Sequence, residues 1–286
     1  MEIVELPVRG DFDLTASMRF LEGFTPAGRP DAADEPGVLR LAFPAAPEWR
    51  TARVVVRQRD GVVTAEIPET DDVKAVAAHA ARILSLDIDG TGFAEVGRRD
   101  LVIGELQRTY PGLRPVLFHS PYEAACWAII GHRIRMTQAA GIKQRIATEL
   151  GDQVRVAGAD LVAFPAPDRL LSAPSIPGVP DLKSDRLRAI AEAALTGDLD
   201  AAHLRAMPPE EALTALKSLP GIGPFSAELT LIRGAGHPNI LPTMERRLQE
   251  AITHSYAPTE SYTTIAEKWH PYRSWASFLL RVSAAS

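Results

Sequence analysis

Leu216-Lys217-Ser218-Leu219-Pro220-Gly221-Ile222-Gly223-Pro224-Phe225-Ser226-Ala227-Glu228-Leu229 carries two helices and the turn between them. A helix begun at Pro208-Pro209 ends at Ser218, and a second begins at Pro224, a residue suited to a first helical turn. The glycines let the backbone turn sharply and approach another surface with no Cβ in the way. The free N–H groups and positive dipole end of the second helix then face whatever comes close, and a phosphate satisfies both. Gly-x-Gly alone equally describes a plain αα-hairpin; the longer Leu-Pro-Gly-Ile-Gly-Pro-Phe-Ser-Ala string is far more specific.

Outward from the hairpin the chain reads as helical. Ser120-Pro121-Tyr122-Glu123 is a strong helix start, with Ser as cap, Pro in the first turn and Glu three residues after the cap. Apolar residues recur through Ile129, Ile130 and Ile134, and this helical region runs to Gly151. Five prolines between 164 and 181 mark a loop with short turns. Helices are predicted over 183–196, 209–218, 224–235, 243–255 and 272–283. Residues 1–70 are strand-rich: Val54-Val55-Val56 is β-branched without alternating, and Asp60-Gly61 is a hairpin signal. Residues 71–84 form a helix with an acidic first turn. The expected fold is α+β: an N-terminal mixed α/β domain with an antiparallel sheet over 1–105, then an all-α region of two helical subdomains over 106–286.

The hairpin string resembles the signature of the helix-hairpin-helix DNA glycosylases, of the bacterial 3-methyladenine glycosylase II type. Pro111-Gly112-Leu113-Arg114, Ser120-Pro121-Tyr122-Glu123, Ala128-Ile129-Ile130-Gly131 and Trp269-His270-Pro271-Tyr272-Arg273-Ser274-Trp275-Ala276 extend the likeness over residues 80–283. The resemblance implies base-excision repair of duplex DNA containing a damaged base, which is flipped out of the stack. It implies DNA contacts at Gly221, Gly223 and Ser226. It also implies a monovalent cation, Na+ or K+, on the main-chain carbonyls of Lys217, Leu219 and Ile222, and no other cofactor.

Such enzymes break the bond between base and sugar, and a carboxylate beneath the cation-like sugar stabilises the transition state. The resemblance implies an Asp about twenty residues after the position of Phe225, at a helix start shortly after a proline. In Leu241-Pro242-Thr243-Met244-Glu245-Arg246-Arg247-Leu248, counting from Phe225 reaches Glu245, the catalytic candidate. Counting from Pro242 reaches Met244 and leaves no acid there. Glu245 also reads as a dipole-complementing residue behind Thr243 as helix cap. Relatives that cut the backbone carry Lys at the position of Phe225 for a Schiff base. Phe cannot form one, so a monofunctional enzyme is expected.

The gap left by the flipped base needs filling, and His132 and Arg133, followed by Arg135, stand where the family's wedge residues lie. Phe225, Trp275 and Trp127 are the candidates for an aromatic base pocket, although each also suits a core. Arg281 stands where the likeness suggests an aromatic residue, which counts against methylated-purine specificity.

The net charge of −5 alone argues against DNA, which is bound mainly through its phosphates. The acid excess is local, however. Residues 1–100 hold 18 acids and 12 bases, the remainder 18 and 19, so a binding face fits on the rest. The single cysteine, Cys126, excludes an intramolecular disulfide and a multi-cysteine metal or iron–sulfur site, and reads as a buried small hydrophobe. No apolar run is long enough to span a bilayer and no signal peptide is evident. A monomeric, cytoplasmic, nucleoid-associated protein without membrane contact is expected. Three functions remain: a monofunctional glycosylase for alkylated or otherwise labile bases, a non-catalytic lesion binder on the same scaffold, and a module that uses the hairpin against protein.

Overall fold

The computed structural model describes residues 1–256 and 261–284; the last two residues of the predicted 106–286 region lie outside them. In chain order the elements are β1 (Glu2–Glu5), α1 (Leu14–Gly23), β2 (Val38–Ala45), β3 (Arg50–Arg59), β4 (Val62–Ile67), α2 (Val73–Ile83), α3 (Phe93–Arg99), α4 (Leu101–Thr109), α5 (Pro121–Gly131) and α6 (Met136–Leu150). They continue as β5 (Gln153–Val156), β6 (Ala159–Val162), α7 (Pro167–Ser172), α8 (Asp181–Thr196), α9 (Ala201–Ala206), α10 (Pro209–Ser218), α11 (Pro224–Leu229), a π turn at Thr230–Gly234, α12 (Arg246–Ser255), α13 (Tyr262–Glu267) and α14 (Arg273–Ser283). The architecture is the expected α+β one, an antiparallel sheet followed by a helical region.

The sheet runs β1-β4-β3-β2, antiparallel throughout. Asp60 and Gly61 both have positive φ (50° and 81°), the requirement of the tight turn that joins β3 to β4. The three valines of β3 fail to alternate because both faces of the strand are covered. Val54 and Val56 enter the main N-terminal core. Val55 packs on the other face against Val156 and Leu161, from a β5–β6 hairpin that the sequence pattern had not signalled.

Helix α5 is buried on every side from Pro121 to Ile130, as its all-round hydrophobicity requires. Ser120 caps it by accepting Glu123 N–H at 3.0 Å. The Glu123 carboxylate turns inward instead of back to the cap, 2.6 Å from Lys143 Nζ on α6 and 3.1 Å from His119 Nδ1. Burial alone would raise its pKa, but Lys143 and His119 outweigh burial and hold it below the carboxylate range. Cys126 lies fully buried in this helix and burial pushes its thiol pKa up, which makes it an inert packing residue.

Two buried polar groups join segments distant in the chain. Arg114 donates to the carbonyls of Asp11 (2.9 Å), Arg9 (2.5 Å), Ser85 (3.0 Å) and Ile88 (3.2 Å), and lies 5.3 Å from the Trp275 ring. Asp100 caps α4 and accepts Trp269 Nε1–H at 2.8 Å and the Tyr256 hydroxyl at 2.9 Å. Helices α3 and α4 therefore share a core with α12, α13 and α14, while α5 to α11 surround a second helical core. Lys143→Met leaves the buried Glu123 without its closest cation. It is expected to cost roughly 3–5 kcal/mol of unfolding free energy, read from urea denaturation.

Candidate nucleic-acid interface and active-site cleft

The turn from α10 to α11 has the predicted form, but only one of its two central glycines is demanded by backbone geometry. Gly221 has φ +86°, and a Cβ there would lie 2.6 Å from Arg186 Cδ. Gly223 has no atom within 4 Å of such a Cβ, so its surface is open. The first helical bond of α11 runs from Ala227 N–H to Gly223 C=O at 2.9 Å. The N–H groups of Phe225 and Ser226 precede it at the helix start. The Leu219 carbonyl accepts Ile222 N–H at 3.1 Å, which curls the turn that also contains the Lys217 and Ile222 carbonyls.

The second helix differs from the continuous 224–235 run that was expected. It is α-helical to Leu229 and widens into the π turn, with Ala235 N–H bonding Thr230 C=O at 2.9 Å. The widened turn swings Arg233 toward the cleft and packs Gly234 on α5. A Cβ at Gly234 would lie 2.7 Å from Pro121 Cα. Such π turns recur at functional sites.

A cleft of about 1160 Å³ opens between this helix, the α5–α6 junction, α1 and α14. Phe225 lines it and is 46% exposed; Trp127 lines it and is 8% exposed. Trp275 does not line it. It is 3% exposed and packed against Phe93, Tyr272 and Arg114, so this pocket candidate is a core residue that helps hold the N-terminal domain in place. His132 and Arg133 lie on the rim. Arg133 is an exposed non-glycine residue with φ +58°, a conformation that costs about 1–2 kcal/mol and collects at functional sites. His132 Nε2 lies 3.4 Å from Ser226 Oγ and links the rim to the hairpin. Its pKa is lowered by burial and then by Lys183, Arg186 and Arg133, which makes it a neutral ring beside three cations.

The loop before α12 is held at each step. Ser274 Oγ bonds the N–H and C=O of Ile240 at 3.0 and 2.9 Å. Tyr262 OH donates to Pro242 C=O at 2.7 Å. The Glu228 carboxylate accepts Thr243 N–H (3.1 Å), Thr243 Oγ1–H (2.6 Å) and Met244 N–H (3.0 Å). The N-cap position of α12 is Glu245 itself, not Thr243, and its side chain caps nothing. Glu245 instead lines the cleft and pairs with Arg281 of α14. Met244 is 50% exposed and does not line the cleft. Of the two positions left open by counting along the chain, Glu245 is thus the one that brings a carboxylate into the cavity. Glu228, Arg233 and the pairing partner Arg281 were not assigned these roles from sequence. The only signal for Glu228 was a charged residue on the otherwise buried face of α11.

Comparison with known proteins gives one consistent picture. No family model matches the chain. The chain is 27% identical over 204 residues to a DNA-3-methyladenine glycosylase of Bacillus subtilis (strain 168), covering 68% of this chain and 67% of that one. It is 29% identical over 179 residues to DNA-3-methyladenine glycosylase 2 of Escherichia coli (strain K12), covering 61% of each. The match to this second relative thus spans less than two thirds of its length. The 3-methyladenine DNA-glycosylase structure from Archaeoglobus fulgidus superposes over 99% of this chain and 98% of its own, with TM-score 0.78 and 22% identity. A Clostridium acetobutylicum 8-oxoguanine glycosylase/lyase, solved with double-stranded DNA, covers 99% and 97% with TM-score 0.64 and 17% identity. The chain is similar in sequence to DNA-3-methyladenine glycosylases and shares the fold of the solved helix-hairpin-helix glycosylases. In this chain the two hairpin glycines should behave differently. Gly221→Ala is expected to lower unfolding free energy by about 1–2 kcal/mol, whereas Gly223→Asp leaves the melting temperature within about 2 °C of wild type, both read by thermal denaturation.

Proposed function

We propose that the protein is a monofunctional DNA glycosylase that hydrolyses the N-glycosidic bond of a flipped-out, alkylated or otherwise labile base. The observation that carries this reading is the Glu245 carboxylate in the cleft, on a loop clamped to the hairpin helix by Glu228. The hairpin N–H groups near Gly221, Gly223 and Ser226 hold a phosphate of the damaged strand, and three neutral carbonyls, of Lys217, Leu219 and Ile222, suit a monovalent cation there. Arg133, with His132 beside it, fills the space the base leaves. The flipped base enters between Phe225 and Trp127. As the base departs, the sugar gains positive charge, and the Glu245 carboxylate stabilises it by opposite charge and orients water for attack. Arg281 holds one carboxylate oxygen and so fixes its direction.

Phe225 stands at the family's Schiff-base position, and the residues lining the cleft include no lysine among the described residues. Both support base release without strand cleavage. A lesion binder would share the hairpin and the rim but would not need a carboxylate anchored at this depth.

Glu245→Gln keeps the shape and removes the charge. Single-turnover base release from lesion-bearing duplexes is expected to slow about a hundredfold or more, with duplex affinity within about threefold of wild type. Wild-type rates in this variant would remove Glu245 from the mechanism, and no release by the wild type on any lesion would favour the lesion binder. Arg133→Ala is expected to weaken binding to an abasic-site duplex more than to undamaged duplex. Equal losses in a fluorescence titration would make Arg133 an ordinary phosphate contact.

A further inference from the structure

Of the arginines that line the cleft, four carry a charge that no acid matches. Arg19 stands on α1, Arg133 and Arg135 at the α5–α6 junction, and Arg247 in the first turn of α12. All four are exposed, and none forms an ion pair among the described residues. Many arginines elsewhere on this acidic chain are paired: Arg29 with Asp31, Arg57 with Glu66, Arg98 with Glu95 and Arg108 with Glu105. The contrast is sharpest on α12. There Arg246 pairs with Glu250 at 2.7 Å, while its neighbour Arg247 lines the cleft without such a partner. On α1, Glu22 follows Arg19 by three residues yet does not pair with it among the described residues. The acids that line the cleft are engaged, Glu245 with Arg281 and Glu228 with three donors from Thr243 and Met244. Deeper in, Arg233 is enclosed by the rings of Phe20, Phe24 and Phe278. The unmatched positive charge thus stands at the exposed mouth.

Helix α14 joins two of the walls that bear these charges. Phe278 lies edge-on to Phe20 of α1, with ring centroids 4.8 Å apart, and Arg281, one turn later, pairs with Glu245 at the N-cap of α12. Arg19 and Arg247 accordingly stand on the two elements that α14 bridges, and Arg133 and Arg135 on a third. Helix α1 shares the core of the N-terminal sheet through Leu14, Met18 and Leu21, so Arg19 brings a cation to the mouth from the acidic third of the chain. Neither Arg19 nor Arg247 has a part in the reading above. A nucleotide turned into the cleft keeps its two flanking phosphates at the mouth, each with a full negative charge. An exposed, unpaired guanidinium can meet a phosphate with two parallel N–H bonds and loses little hydration in doing so, whereas a paired one must first leave its carboxylate. We propose that Arg19 and Arg247 form a phosphate clamp on the lesion-bearing strand at the flipped nucleotide, separate from the hairpin, through which the N-terminal domain contacts DNA directly. The inference rests on the glycosylase reading and adds a second backbone contact to the same cleft.

The test uses the intact protein and two duplexes of one sequence, undamaged or carrying a tetrahydrofuran abasic-site analogue. Affinity is read by fluorescence anisotropy across a salt series. Arg19→Gln and Arg247→Gln are each expected to weaken binding to the abasic-site duplex about three- to tenfold. Each should also lower the slope of log affinity against log salt by about one, and the double variant by about two. The loss on undamaged duplex should be smaller, because only a strand turned into the cleft brings its phosphates to both arginines. Arg19→Lys and Arg247→Lys keep the charge and are expected to keep the slope. Arg50→Gln on β3 is the control for net charge, since Arg50 is exposed, does not line the cleft and forms no ion pair among the described residues; its affinity and slope should match the wild type. A slope unchanged in either glutamine variant, or a loss no greater than that of Arg50→Gln, would overturn the clamp. Base release from lesion-bearing duplexes is followed in parallel. Release by the wild type with unchanged slopes overturns the clamp and leaves the glycosylase reading standing. Lowered slopes without release on any lesion support the clamp and count against the glycosylase reading.

Discussion

The Glu228 carboxylate ties the two halves of the site together. It projects from α11, the helix whose first turn faces outward at the hairpin, and receives three hydrogen bonds from Thr243 and Met244, just before α12. A buried carboxylate is tolerable only when its acceptor capacity is filled, and backbone N–H groups fill it well. The result is a short rigid path from the outward-facing turn to Glu245. Ser274 and Tyr262 fix the same loop from its other side. In this way the C-terminal segment, from Trp269 to Ala276, contributes position rather than chemistry. A carboxylate that must sit within about an angstrom of a developing charge needs such a frame.

The charges around the cleft differ in sign from the net charge of −5 of the whole chain. The acidic excess belongs to the N-terminal third. Cations gather at the rim and inside the cleft: Arg133, Arg135, Arg233, Arg247 and Arg281 all line it. Burial first, and then Lys183, Arg186 and Arg133, lower the pKa of His132 on the rim. Local potential, not net charge, governs an encounter with phosphate.

The π turn is the second device on which the site depends. An unbroken α-helix would carry residue 233 around to a different face. One widened turn places the Arg233 guanidinium among three phenylalanines, while Gly234 permits backbone contact with α5. Burying a guanidinium costs solvation, which the ring faces and the Val116 carbonyl partly return.

The sequence by itself determined the fold class, the hairpin and the helix starts at Ser120 and Pro224, because these rest on local chemistry: capping oxygens, proline's fixed φ and the paired positive φ of Asp60-Gly61. It also narrowed the candidate acid to two adjacent positions. Only the tertiary structure shows which of the two side chains lines the cleft: Glu245 does, paired with Arg281 of α14 across 36 residues of chain, and Met244 does not. It moved Trp275 from pocket to core, because a tryptophan on a helix reads alike whether its neighbour is a ligand or Arg114. It also disclosed the β5–β6 hairpin behind Val55, the clamp at Glu228 and the cage around Arg233. These are contacts between segments distant in the chain, and no local pattern encodes which buried charge will meet which partner.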